Sequence, residues 1–189
     1  PSVDAVDLIQ RGERPALQTL AFLRHAKSEG VHAGGGDFDR RLSGRGLKAA
    51  ALMGEHLRER GVLPGHILCS PAGRARKTLE CMGEGFADCP GSDFFDDLYL
   101  AAPETLLSRI ADVGEEVASL LVIGHNPGIE EVAVALARRG AGSPGALTGL
   151  AGGFVTAALA VFEIDGESFA GIEHESARLV HFAAPRSLA

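Results

Sequence analysis

The chain has 189 residues, 46% of them hydrophobic, and a formal net charge of −7 at pH 7. That length suits one domain with a sizeable core, and the acidic balance argues against nucleic acid or an anionic membrane surface as partner. The cysteines Cys69, Cys81 and Cys89 show no C-x-x-C spacing, which argues against a disulfide framework or zinc ribbon and leads us to expect a reducing, cytoplasmic setting. The least polar stretch, 146–162, is too short and too rich in glycine for a membrane span. No secretory leader is visible at the start.

Residues 1–18 are polar and mixed and are read as an N-terminal extension, with a short helix around 6–9. The domain proper is expected over 19–189, beginning with a strand at 19–23 that ends in Arg24-His25. A glycine-rich loop follows at 30–36, then Asp37-Phe38-Asp39-Arg40-Arg41-Leu42. Ser43 is a good N-cap for a helix to about residue 60, carried by Leu47, Ala50, Ala51, Met53 and Leu57 and closed by Gly61. A second strand, 66–69, leads into Ser70-Pro71, where another helix is expected to begin with proline in its first turn. Residues 94–99 read as a short edge strand or ordered loop, and Pro103-Glu104 opens a helix. The apolar run 119–123 ends in Gly124-His125-Asn126-Pro127-Gly128 and passes into a helix through Ala137. After a Gly/Ser/Pro loop at 140–145, strands are expected at 154–164 and 177–182. Strands alternating with helices imply an α/β fold of three layers, a mostly parallel sheet covered by helices on both faces.

Three strand ends therefore carry His25, Arg74 (a few residues past its strand) and His125, with Arg24 beside the first. In open α/β sheets, ligands bind at such ends. Two histidines and two arginines suit a phosphoryl group, because guanidinium groups bind its oxygens in pairs and a neutral imidazole can attack phosphorus. Arginine in a first helical turn opposes the helix dipole, so Arg74 needs an anionic ligand or a salt bridge to explain it. A metal is not expected: His25, His125 and Asp37 lack ligand spacing, and the arginines repel a cation. Neither a G-x-S-x-G elbow nor a P-loop is present. His32, His56, His66, His174 and His181 read as surface or partly packed histidines.

In combination and chain order, these segments resemble the histidine phosphatase superfamily, which also holds phosphoglycerate mutases. Leu23-Arg24-His25-Ala26 resembles its L-R-H-G, with alanine, the next smallest residue, for glycine. Ser70-Pro71-Ala72-Gly73-Arg74-Ala75 and Gly124-His125-Asn126-Pro127 resemble its arginine and second-histidine segments. Asp37 to Ser43, the short length and the closing Ala177-Arg178-Leu179-Val180 resemble the SixA-like phosphohistidine phosphatase branch. The resemblance implies a phosphoglycerate mutase-like fold and a cofactor-free phosphatase with His25 as nucleophile. Arg24, Arg74 and His125 would hold phosphoryl oxygens, and Arg40, Asp37 and the Asn126 amide would bind substrate. No glutamate stands clearly in a proton-donor position, although Asp97 and Glu104 are nearby. That modestly favours a nitrogen leaving group, so phosphohistidine in a protein is the expected substrate. A small phosphomonoester is the alternative, and a non-catalytic phospho-group binding module is argued against by the intact quartet.

Overall fold

The computed structural model describes residues 17–31, 35–137, 141–172 and 176–188. The expected helix at 6–9 and most of the expected extension lie outside the described residues, as do His32 and His174. Within them the order is β1 (Leu17–Arg24), α1 (Gly44–Glu59), β2 (His66–Cys69), α2 (Gly73–Cys81), β3 (Ser92–Phe94), a 3-10 turn (Asp96–Leu98), α3 (Pro103–Ala111), β4 (Ser119–Gly124), α4 (Gly128–Ala137), α5 (Pro144–Ala151), β5 (Leu159–Asp165), β6 (Ala177–Ala183) and a final 3-10 turn (Pro185–Ser187).

One sheet runs β3-β2-β4-β1-β5-β6. Its first four strands are parallel; β5 pairs antiparallel with β1, and β6 antiparallel with β5. The sheet is thus mixed, and parallel through the half that carries the motifs. Parallel strands covered on both faces need near-continuous apolar runs, and β4 and the centre of β1 supply them. Alternate residues feed two cores. Leu20, Phe22, Leu120 and Val122 pack with Leu106, Ile110, Ile129 and Val132 of α3 and α4. Ala21, Leu23, Leu121 and Ile123 pack on the other face with Met53, Leu57 and Leu79 of α1 and α2.

Local chemistry sets the ends. The Ser43 side chain accepts from the Gly46 backbone N–H at the start of α1, and Gly61, at φ 69°, supplies the left-handed residue beyond its end. Three expectations are corrected. Helix α2 begins at Gly73, because Ser70 is engaged elsewhere and Ala72 is extended (φ −57°, ψ 140°). Residues 144–151 form α5, capped by Ser143 onto Ala146, where only a loop and then a strand were expected. Strand β5 begins at Leu159, since 154–158 turn to meet the end of β1.

Candidate active site

The register puts Arg24 of β1 beside Gly124 of β4, and Cys69 of β2 beside Ile123. The three parallel strands therefore end level, and the residues that follow them share one edge of the sheet. A cavity of about 380 Å³ opens there, lined by Arg24, His25, Lys27, Ser28, Asp37, Arg40, Arg74, Leu100, His125, Asn126 and Thr156. All seven residues singled out from the sequence are on this wall.

His25 is buried, and its backbone N–H is held by Gly124 O at 3.0 Å. Its Nδ1 lies 2.9 Å from Ala26 O. A carbonyl only accepts, so Nδ1 carries the proton and the lone pair is on Nε2. Arg74 Nε donates to that Nε2 at a long 3.2 Å. Burial first, and then the positive charge of Arg74, Arg24 and Arg40, push His25 down to about 4 against the favourable carbonyl bond. The ring is therefore neutral at pH 7.

Arg74 is 2% exposed. Its guanidinium donates to Asp37 O and, at 2.9 Å, to Asp37 Oδ2. Asp37 thus answers the puzzle of an arginine in a first helical turn. The carboxylate also accepts from the Tyr99 hydroxyl at 2.6 Å and from Arg40 at 2.9 Å. Tyr99 first, and Arg40 next, hold it well below the usual carboxylate range, while the same bond raises the Tyr99 phenol. Thr78 joins the two motif segments: its hydroxyl accepts from Ala26 N (3.0 Å) and donates to Arg74 O (2.7 Å).

The His125 ring centroid lies 5.0 Å from that of His25. Burial first, then the His25 and Arg74 charges, push it down to about 3. Its Nε2 is 2.7 Å from the buried Ser70 hydroxyl. Ser70 Oγ already accepts from Ala72 N at 3.4 Å, and His125 Nε2 is the acceptor left for its proton among the described residues. The proton of His125 then sits on Nδ1, which is buried and has no protein partner among the described residues. Arg24 donates to Phe154 O at 2.8 Å, and its Nε likewise lacks a partner there. Both atoms are shielded from solvent.

Other sequence readings change. The Asn126 amide nitrogen is committed to Glu130 Oε2 (2.6 Å) and Phe154 O (3.0 Å), so it is not free to donate into the cavity. Asp97 chelates Arg109, and with Glu104 it lines a different depression over α3. Ser70 and Tyr99 had no assigned role in the sequence. Ser70 is adjacent to a proline that ends a strand, which was a usable signal; Tyr99 meets Asp37 across 62 residues, which was not. Among the described residues no group of three or more His, Cys, Asp or Glu could hold a metal ion, and no helix is long and apolar enough to cross a membrane.

Residues 20–91 match the family model of the histidine phosphatase superfamily (branch 1). A crystal structure assigned as SixA from Agrobacterium tumefaciens is 32% identical and superposes with a TM-score of 0.74, over 89% of this chain and 98% of that one. This chain belongs to the histidine phosphatase superfamily. The chain is also 37% identical, over 87% of its length, to the whole of the uncharacterised protein Rv1276c from Mycobacterium tuberculosis (strain ATCC 25618 / H37Rv). A protein histidine phosphatase SixA solved with tungstate shares the fold at 24% identity and a TM-score of 0.71, over 91% of this chain and all of that one.

Proposed function

We propose that this histidine phosphatase hydrolyses phosphohistidine in proteins, without a metal, through a phosphohistidine on His25. The carrying observation is a cavity with a neutral imidazole, free arginine charge and no carboxylic acid available as proton donor. Asp37 is the one carboxylate on the wall among the described residues, and its three donors keep it ionised. A phosphoester leaving as an alkoxide needs a strong acid, whereas an imidazole leaving group does not. The SixA likeness supports the same reading.

In the mechanism, His25 Nε2 attacks phosphorus in line with the bond to the leaving nitrogen. That bond breaks, and the imidazole departs with a proton from solvent. Ala26 O stabilises the positive ring that forms, through Nδ1–H. As phosphorus approaches, its oxygens draw Arg74 Nε off the lone pair, and Arg24 and Arg74, with His125 beside them, meet the spreading oxygen charges. Asp37 positions Arg74 and Arg40. Water then attacks the phosphorus on His25, releasing phosphate and the free ring.

The test compares a phosphohistidine protein with an aryl and an alkyl phosphate, using wild type and His25→Ala. We expect kcat/KM to rank phosphohistidine first and the alkyl ester last, with every activity lost in the variant. An alkyl ester turned over as well as phosphohistidine would contradict the substrate assignment.

A further inference from the structure

A second depression, of about 450 Å³, lies against the first and shares Arg40 as a common wall. Its floor is Leu42 and Leu47; Leu47 is an α1 side chain 38% exposed, with no core role. Around that floor stand the cations Arg40, Arg41, Arg76 and Lys77, against the carboxylates Asp39 and Glu80. Lys77 pairs with Glu80 at 2.8 Å, and Arg40 with Asp37. Arg76 is held without a carboxylate: it donates to Pro71 O and stacks 4.0 Å over the Phe94 ring. Arg41 makes no ion pair among the described residues. The groove is thus basic on a chain whose net charge is −7, and basic where it adjoins the phosphoryl cavity. A free phosphate fills the first cavity alone and has no use for the leucines.

We propose that this groove docks the polypeptide segment flanking the phosphorylated residue, and selects one bearing carboxylates beside an apolar side chain. The proposal rests on the reading that the substrate is a protein. Carboxylates on the segment meet Arg41 and Arg76, its apolar side chain covers Leu42 and Leu47, and Arg40 marks the border between docking and chemistry. Such surface charges act chiefly on encounter and register, so the selection weakens with salt.

The experiment uses two phosphohistidine peptides, one with Asp, Glu and Leu around the histidine and one with Lys for each acid, together with an aryl phosphate. The variants compared with wild type are Arg41→Glu/Arg76→Glu and Leu47→Asn, all at exposed positions outside the catalytic cavity. We expect wild type to favour the acidic peptide, and the double reversal to cost on the order of tenfold in its kcat/KM. Leu47→Asn should lower both peptides, and aryl phosphate turnover should be unchanged throughout, which also reports an intact fold. Equal rates on the two peptides, or an equal fall on the aryl phosphate, would overturn the docking proposal alone. Turnover of the aryl phosphate with neither peptide cleaved would overturn the protein-substrate reading, and docking with it.

Discussion

Replacing Arg74 by alanine removes one of the two guanidinium groups that face the developing charge. A preorganised donor of this kind is worth ~2–4 kcal/mol, which is roughly 30- to 900-fold in kcat at about 1.36 kcal/mol per decade. Asp37 keeps its bonds from Tyr99 and Arg40. The Asp37 side chain is 44% exposed but that of Arg74 only 3%, so the variant loses buried packing as well as the pair, and its Tm should fall by more than the loss of an exposed ion pair, about 0–1 kcal/mol, would cause. Arg74 also depresses His25, so in the variant that imidazole should titrate higher than about 4. Arg74→Lys keeps the charge but loses the planar fork, and its kcat should fall between the two. Steady-state turnover of an aryl phosphate, a thermal melt and an imidazole NMR titration read the three effects. An alanine variant with wild-type kcat would refute the assignment of charge stabilisation to Arg74.

His25 and His125 should titrate near 4 and 3, far below the ordinary 6.5. The unfolded chain takes up those protons near 6.5 and the fold does not, so stability is full above that pH and falls as pH drops toward 4; denaturant melts at pH 7 and 5 that showed the reverse order would contradict this. Ser70→Ala frees His125 Nε2, so its proton should redistribute between the ring nitrogens and kcat should fall more than KM rises; nitrogen NMR of the imidazole reads the tautomer directly. Gly46→Ala sets a Cβ 2.1 Å from Lys27 O, in the loop that leaves His25; overpacking of this kind costs about 1–3 kcal/mol, which a urea melt would register.

The parallel half of the sheet was legible because its strands are unbroken apolar runs punctuated by Arg-His, Ser-Pro and Gly-His-Asn-Pro. Those same punctuation marks line the candidate site, so the side chains that meet in the cavity were legible too. Helix α5 was not, since Gly145 and Gly149 dilute its pattern. Gly149 is there for packing: a Cβ would lie 2.6 Å from the Phe182 ring. The early end of the expected strand at 154 has a similar origin. Phe154 presents its carbonyl to both Arg24 and Asn126, a contact across distant segments with no local periodicity. Tyr99 was hidden for the same reason. Sequence alone marks His56 and His181 only as surface or partly packed; they meet at 2.7 Å between α1 and β6.

Covalent trapping tests the central claim most directly. Wild type is mixed briefly with labelled substrate, quenched in base and mapped by peptide. The account predicts one phosphate on His25, stable in base, labile in acid and absent in His25→Ala. Label on Ser70 or Ser28, or full turnover by His25→Ala, would contradict it.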